Sequence, residues 1–223
     1  MTKKISVVEK IHSANDQLAA ENKQQLDQAN LFSLNIMASP GAGKTSLIEK
    51  SLELLKPDYK IAAIDGDVAT SIDADRAAEA GATAVQINTG GQCHIDAHML
   101  RKALMELDLD KFDLLLVENV GNLICPASFK LGTDNNVLIA SIPEGDDKPY
   151  KYPAMYQDVD ALIINKIDLL PYVKFDMEYF QKGVQMLNPE LITFPVSCTT
   201  GQGIEAWVNW VSEHIEDKKS RLK

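Results

Sequence analysis

A thiol, two imidazoles and a carboxylate lie within six positions of this chain: Cys93, His94, Asp96 and His98 all belong to the stretch GGQCHIDAH. The whole chain has only three cysteines and four histidines. A second thiol, Cys125, follows later in the segment NLICP. Two thiolates and an imidazole suit Zn²⁺ or Ni²⁺. We therefore predict a metal site of Cys93, His94 and Cys125, with His98 as a candidate extra ligand and Asp96 as a ligand or support. Two buried structural thiols are the alternative.

The position of these ligands depends on the elements around them. The pattern predicts a helix from Cys93 to Leu107, whose dipole would favour a thiolate at its start, and His98 would share a face with His94. Cys125 comes seven residues after Glu118, beyond the end of a predicted strand. Both segments leave the same edge of the sheet, so the ligands should converge. Because one chain offers three strong ligands, we expect a second copy to complete the site.

A glycine-rich loop, ASPGAGKT, occupies residues 38–45 between an apolar strand and a helix. This is the context of a P-loop, in which backbone N–H groups at a helix start bind phosphate. Lys44 would reach the β- and γ-phosphates and Thr45 would bind Mg²⁺. Ala38 replaces the usual first glycine, and Ser39 stands where a related ATPase class has a second lysine. The residues predicted to bind phosphate are Gly41, Ala42, Gly43, Lys44, Thr45 and Ser46.

The segment NKID, residues 165–168, follows another predicted strand and indicates the base. Asp168 could accept two hydrogen bonds from guanine, and adenine lacks that pair of donors, so the residue favours GTP over ATP. Asn165 would brace the loop and the stem of Lys166 would lie against the base. Ser197 and Cys198, after the last strand, would complete the guanine pocket through their backbone.

Acidic residues end two further strands, in the segments DGD (65–67) and ENVG (118–121). Carboxylates that face a P-loop are natural magnesium ligands, directly or through water. We predict that Thr45, Asp67 and Glu118 hold Mg²⁺, that Gly121 donates to the γ-phosphate, and that Lys44, Asp67 and Glu118 are catalytic, with Asp67 orienting water. Asp65 could instead cap a turn. Asn122 stands where many GTPases have a glutamine, so intrinsic GTP hydrolysis should be slow.

Strands alternate with helices through most of the chain, which predicts crossover units and a mostly parallel sheet. We expect an α/β fold with about seven strands: 31–38, 60–64, 82–87, 112–118, 136–142, 161–165 and 191–196. A helical period before the first strand predicts an N-terminal helical extension over residues 1–29. The GTPase domain should span 30–217, its last helix running from about Ile204 to Asp217, and residues 218–223 should form a frayed polar tail.

The 223 residues carry a net charge of −10 and are 45% hydrophobic, enough for one large core. An acidic chain repels nucleic-acid backbone and anionic membrane, so neither is an expected partner. No apolar run is long enough to span a bilayer, and the N-terminus does not resemble a signal peptide. We therefore expect a cytoplasmic protein, in which three cysteines, an odd number, indicate free thiols or metal ligands and not disulfides.

Together these segments resemble the HypB family of nickel-incorporation GTPases. The resemblance covers about residues 30–200, and its most specific parts are the pair Cys93-His94 and the run ENVGNLICP from Glu118 to Pro126. It implies a SIMIBI-class fold, a GTP-promoted homodimer, and a nickel or zinc site of Cys93, His94 and Cys125 at the dimer interface. It also implies nickel delivery to the large subunit of [NiFe]-hydrogenase with a HypA-type chaperone, and in some members to urease.

Other interpretations stay open. A urease-type accessory GTPase would carry a Cys-Pro-His motif, which is absent here. A regulatory GTPase with structural cysteines, or a small-molecule kinase, would also contain the P-loop, although residues 165–168 argue against the kinase. Some members of the family have a cysteine-rich N-terminal motif or a histidine-rich stretch, whereas only His12 precedes the P-loop here. We therefore expect neither high-affinity N-terminal binding nor bulk nickel storage.

Overall fold

The computed structural model describes residues 7–221, with side chains inside the first helix from His12 onward. Seven strands form its centre: β1 Phe32–Ala38, β2 Ile61–Asp67, β3 Thr83–Asn88, β4 Leu114–Glu118, β5 Asn135–Ser141, β6 Ala161–Asn165 and β7 Ile192–Pro195. Every strand pair is parallel, and the order across the sheet is β3-β2-β4-β1-β5-β6-β7. The predicted fold class, a parallel sheet of about seven strands flanked by helices, is confirmed.

The helices that flank this sheet are α1 Val7–Gln28, α2 Lys44–Leu55, α3 Ile72–Ala80, α4 Ala97–Leu104, α5 Lys148–Lys151, α6 Pro153–Gln157, α7 Met177–Leu187 and α8 Ile204–Ser220. Both sheet faces can be covered because the central strands are apolar at consecutive positions, so each strand presents apolar side chains to both faces. In β4, Leu114 and Leu116 pack in the core that contains α2 and α8, whereas Leu115 and Val117 pack in the core that contains α4. A third core lies between the sheet and α7.

The two ends of the chain differ from the predicted boundaries. Residues 1–6 of the predicted extension and residues 222–223 of the predicted tail lie outside the described residues. The last helix, α8, continues to Ser220, so the prediction that it ends at Asp217 was wrong. Lys218 explains the difference: its ammonium group contacts Asp27 of α1 at 2.9 Å and Asp134 at 2.8 Å, and its side chain is only 11% exposed.

The predicted helix from Cys93 to Leu107 is also wrong at both ends, since α4 spans only Ala97–Leu104. Asp96 begins the helix, because its side chain accepts a hydrogen bond from the Met99 backbone N–H at 2.8 Å. Gly90 and Gly91 before it have φ angles of 62° and 91°, in the left-handed region, so this stretch is a turn. Cys93 and His94 therefore lie on a loop. No helix of the described residues is both long and apolar enough to cross a membrane.

Candidate nucleotide and metal sites

A cleft of about 540 Å³ opens beyond the carboxyl ends of the central strands, and the P-loop forms one wall. Gly41, Gly43, Lys44, Thr45, Ser46 and Gly121 all line it. Helix α2 starts at Lys44 and Gly43 caps it in the left-handed conformation, so the N–H groups of its first turn are available to an anion. Gly121 approaches the P-loop so closely that a Cβ there would lie 3.0 Å from the Pro40 backbone.

Three carboxylates meet inside this cleft. One oxygen from each of Asp65, Asp73 and Glu118 lies within 4.8 Å of the others. Asp65 is 4% exposed and Glu118 is 5% exposed. Burial raises the pKa of Asp65 to about 7 and that of Glu118 to about 8. Such a cluster is costly to ionise without a cation, so it suits a divalent ion with hard oxygen ligands.

Two contacts relate this cluster to the P-loop. The Thr45 hydroxyl donates to Glu118 Oε1 at 2.8 Å, which joins the P-loop threonine to the end of β4. Among the described residues, Asp65 Oδ2 is a buried oxygen without a hydrogen-bond partner. Buried polar atoms are rarely left unpaired, so this oxygen is a vacant acceptor for a cation or a water bound to one.

Asp67, which we predicted to bind Mg²⁺ and orient water, bonds to the backbone of its own loop. Its Oδ1 accepts from the backbone N–H groups of Ala69 and Thr70 at 2.8 and 2.7 Å, and these bonds lower the pKa of its carboxyl. Asp67 lines the cleft but is not one of the three clustered carboxylates; Asp73, in the first turn of α3, is. Asp73 escaped the sequence analysis because it belongs to a helix and not to a strand end.

Arg76 is a second residue of the cleft that the sequence analysis did not identify. It lies one turn after Asp73 on α3, where its guanidinium donates to Glu49 of α2 at 2.9 and 2.6 Å. The Asp73–Arg76 spacing of three along the helix was a local signal, because such pairs share one helical face. Arg76 therefore adds a positive charge to a cleft whose lining also contains Lys44 and several carboxylates.

The segment of residues 165–168 lies beside the P-loop. Asn165 Nδ2 donates to the Ala42 carbonyl at 2.9 Å, and Lys166 Nζ donates to the Gly41 carbonyl at 2.6 Å. Asp168 Oδ1 is another buried oxygen without a partner among the described residues. The Cys198 N–H donates to Asn165 Oδ1 at 3.4 Å, which attaches the loop after β7 to the same segment; Ser197 beside it is buried.

The other site lies where the loops after β3 and β4 meet. Cys93 Sγ is 2.8 Å from Cys125 Sγ and 3.8 Å from His94 Nδ1, and one ligand atom from each residue lies within 4.8 Å of the others. Cys93 is exposed and Cys125 is half-buried. Burial lowers the pKa of His94, which favours the neutral imidazole that binds metals. The hydrogen bond with Cys93 raises the pKa of Cys125, as expected for two thiols that share a proton.

The remaining candidates do not join this cluster. The prediction that His98 shares a helical face with His94 was wrong, because His94 precedes α4; His98 is exposed on that helix and is not among the three clustered ligands. Asp96 is occupied as the cap of α4. Cys198 also lies elsewhere, and burial raises the pKa of its thiol to about 11.

One residue, Ile95, connects the two sites. It follows His94 directly, and its backbone N–H donates to the Asn119 side chain at 3.0 Å. Asn119 follows Glu118 and is fully buried. The Ile95 side chain occupies the space that a Cβ of Gly66 would need. Gly66 itself lies between Asp65 and Asp67 in the sequence. The Cys93-His94 loop therefore packs directly on two strand ends that face the cleft.

Comparison with known proteins gives a consistent result. A family described as "CobW/HypB/UreG, nucleotide-binding domain" matches residues 32–195. The hydrogenase maturation factor HypB of Rhizobium leguminosarum bv. viciae is 45% identical over 98% of this chain and 73% of its own length. The hydrogenase/urease maturation factor HypB of Helicobacter pylori strain J99 is 41% identical over 95% of this chain and 88% of its own length.

Among solved structures, the crystal structure of HypB from Helicobacter pylori in complex with nickel superimposes with a TM-score of 0.88. The two sequences are 39% identical, and the match covers 92% of this chain and 96% of that one. The similarity therefore extends over the P-loop cleft and the cysteine-containing loops together.

Proposed function

The chain belongs to the HypB family, and from this premise we propose that it is a GTP-hydrolysing metallochaperone that carries nickel for the maturation of [NiFe]-hydrogenase. The observation that carries the proposal is the arrangement of the Cys93, His94 and Cys125 cluster around strand ends that also form a P-loop cleft. A P-loop by itself would be compatible with many activities. A cluster of candidate metal ligands that shares its supports with the cleft favours a nucleotide-controlled metal carrier.

Guanine specificity is supported by Asp168. Its unpaired, buried Oδ1 is the acceptor that guanine N1–H or the exocyclic amine would need, and adenine offers no equivalent pair of donors. Asn165 and Lys166 hold this segment against the P-loop carbonyls. The same side chains therefore fix the base-binding segment relative to the phosphate-binding loop.

The cleft also fits Mg²⁺, because it offers the vacant Asp65 Oδ2, Glu118, Asp73 and the Thr45 hydroxyl. Bound there with GTP, the ion would neutralise phosphate charge during hydrolysis. Lys44 would hold the terminal phosphates, and Gly121 would donate its N–H to the γ-phosphate. Asp67 stays the proposed residue for orienting water. We assign the magnesium contacts to Asp65 and Asp73 in addition to Thr45 and Glu118.

Nickel is the proposed cargo, with zinc as the ion that would compete for the same ligands. Three ligands from one chain leave the coordination sphere open, so two copies across a two-fold axis would complete it. GTP would promote that dimer, since both the cleft and the cluster lie at one edge of the sheet. The contacts of Ile95 with Asn119 and Gly66 supply a physical route by which nucleotide state alters metal affinity.

The proposed partners follow from the same family. A HypA-type nickel chaperone and the hydrogenase large subunit are the expected protein partners. The expected location is the cytoplasm, and urease is a second candidate client. A urease-type accessory role alone, or a regulatory GTPase with structural cysteines, are the alternatives. The exposure of Cys93 argues against a purely structural thiol pair.

The decisive experiment is a nickel titration of metal-stripped protein with GDP and with a non-hydrolysable GTP analogue, with light scattering on the same samples. We expect one nickel per dimer, an affinity that depends on the nucleotide, and loss of binding in Cys93→Ala. Equal nickel affinity with GDP and with the GTP analogue would show that the nucleotide does not control metal binding. Nickel binding that survives Cys93→Ala would place the metal elsewhere and contradict the proposal.

A further inference from the structure

Helix α1 contacts both segments that supply the metal ligands. Asn15 is 7% exposed and uses both ends of its amide: Oδ1 accepts from the Ala97 N–H at 2.9 Å, and Nδ2 donates to the Lys130 carbonyl at 2.9 Å. Ala97 lies three residues after His94, and Lys130 lies five residues after Cys125. One side chain therefore joins the two loops on which the site depends.

Asn22 makes the same kind of bridge two helical turns later. Its Nδ2 donates to the Ala97 carbonyl at 2.9 Å and to the Leu131 carbonyl at 3.0 Å, and the residue is 1% exposed. Positions 15 and 22 are seven residues apart, so both amides project from one face of α1. Asparagine is a poor helix former, and two buried asparagines on one face indicate a specific bonding role.

An aromatic contact extends this connection to a ligand itself. The Phe129 ring stacks on the His94 imidazole with centroids 4.0 Å apart and an interplanar angle of 27°. On α1, the His12 ring lies 5.1 Å from Phe129. Phe129 thus restricts the orientation of His94, and α1 packs against Phe129.

The fit between α1 and the segment after Cys125 is tight. Gly132 lies against the backbone of α1, and a Cβ there would clash with the Ala19 carbonyl. Its φ of 89° is in the left-handed region. Residue 132 therefore packs directly against the backbone of α1.

From these contacts we propose that α1 is a positioning element of the nickel site. Asn15 and Asn22 of α1, together with Phe129, against which α1 packs, hold the Cys93-His94 loop at ligation distance from Cys125. The proposal rests on the proposed metal-binding function and extends it. It assigns a role to three residues that supply no ligand atom. It also gives a reason why the N-terminal helix α1 packs on the segments that follow β3 and β4.

The first test measures nickel affinity by competition with a chromophoric chelator, together with the sulfur-to-nickel charge-transfer absorption. In Asn15→Ala and Phe129→Leu we expect affinity to fall about 10- to 100-fold, as for other residues that orient metal ligands, and the charge-transfer band to change. Phe129→Tyr keeps the stacked ring and should stay near wild-type affinity. Unchanged affinity and spectrum in Asn15→Ala and Phe129→Leu would overturn the proposal.

A matched control separates positioning from general stability. Asn188→Ala removes a side-chain amide that donates to the Val159 carbonyl at 3.0 Å, far along the chain from both metal-binding loops. It should bind nickel as the wild type does. GDP affinity should be unchanged in every variant, because the hydrogen bonds that α1 makes from His12 onward go to neither the P-loop nor Asp168. An equal loss of nickel affinity in Asn188→Ala would reduce the effect to ordinary destabilisation and overturn the proposal.

A second readout needs no nickel. In glutathione redox buffers, Cys93 and Cys125 exchange with oxidised glutathione to give one protein disulfide and two reduced glutathione molecules, and the equilibrium reports the effective concentration of the two thiols. Peptide mapping identifies the pair. We expect the effective concentration of the two thiols to fall about 10-fold in Asn15→Ala and to stay at its wild-type value in Asn188→Ala. If wild type binds no nickel while this difference persists, the proposed function fails and the positioning role stands. No difference refutes the positioning role.

Discussion

At the scale of single residues, we expect Asp168 to decide which base is bound. Asp168→Asn replaces one carboxylate acceptor by an amide donor, so at least one charge-assisted bond to guanine is lost. We expect GDP affinity to fall about 100-fold. Xanthine has a carbonyl where guanine has the amine, so affinity for xanthosine diphosphate should rise. Calorimetric titration with both nucleotides measures the change.

The control for this substitution is Asp158→Asn, which changes an exposed carboxylate before β6, at the end of that strand opposite Asp168. The control substitution should leave the affinities for GDP and for xanthosine diphosphate unchanged. Wild-type GDP affinity in Asp168→Asn would mean that guanine is recognised elsewhere, and the assignment of residues 165–168 would be withdrawn.

Glu118 is the second decisive residue. Glu118→Gln keeps the size and can still accept the hydrogen bond from Thr45, but this buried side chain, which is 5% exposed, can then no longer ionise when a cation binds. We expect the magnesium-dependent rate of GTP hydrolysis to fall about 100-fold, because a preorganised electrostatic contact is lost. GDP binding without magnesium should change little. Phosphate release under saturating GTP provides the measurement.

Glu53→Gln is the matched control for Glu118→Gln, since Glu53 lies on the solvent side of α2 with a side chain that is 62% exposed. Its hydrolysis rate should equal that of the wild type. Magnesium-dependent hydrolysis that is equally fast in Glu118→Gln would exclude this carboxylate from the metal contacts and leave Asp65 and Asp73 as the candidates.

At the scale of elements, an ion pair fixes the end of α8 to the start of β4. Lys219 contacts Asp113 at 2.8 Å, and the Lys60 N–H donates to the same carboxyl at 2.7 Å. Burial alone would raise the pKa of Asp113, but the bonds from Lys219 and Lys60 outweigh it and lower that pKa below its ordinary 3.8. The folded state thus binds a proton at Asp113 less tightly than the unfolded chain does.

The sign of the pH dependence follows from this shift. Asp113 contributes stability above pH 3.8, and the contribution is lost as pH falls through the lowered folded-state pKa. Asp113→Asn should lower the free energy of unfolding by about 1 kcal/mol or less at pH 7, because the Lys219–Asp113 pair is partly exposed. In strong acid it should leave the free energy of unfolding unchanged. Urea unfolding at several pH values tests it, with the exposed Asp108→Asn as control. A cost in Asp113→Asn that does not depend on pH would contradict this explanation.

At the scale of the whole molecule, large apolar side chains are exposed beside both sites. Val68 and Ile72 follow β2 and are 45% and 61% exposed, and Ile124, next to Cys125, is 65% exposed. Strands β2 and β4 are neighbours, so these side chains leave the same edge of the sheet. Exposed apolar side chains at the same edge as the proposed three-ligand metal site would suit contact with a second copy of the chain.

Ile124→Glu should therefore weaken the GTP-promoted dimer at least 10-fold, because a charge would be buried without a partner. The monomer should still bind GDP as the wild type does. Sedimentation with the GTP analogue measures the dimer. Met186→Glu is the control, since Met186 is 70% exposed on α7, on the other half of the sheet. Equal dimerisation of Ile124→Glu and Met186→Glu would show that this patch is not the interface.

The sequence by itself determined the features that depend on short-range patterns. The P-loop is one continuous segment whose strand, turn and helix each have their own local signal, and residues 165–168 follow a strand in the same way. The apolar strands predicted the parallel sheet, and the carboxyl ends of parallel strands necessarily meet at one edge. That rule also brought Cys93 and Cys125 together without any knowledge of distances.

The tertiary structure decided which side chains complete those sites. Asp73 joins the carboxylates only because α3 folds back over the end of β2, and α4 starts at Ala97 only because Asp96 caps it. Asn15 meets Ala97 and Lys130 across 82 and 115 residues of chain. Such contacts have no periodic or local signature. They arise when buried amides must find partners among whatever backbone the fold brings to them, so only the folded arrangement specifies them.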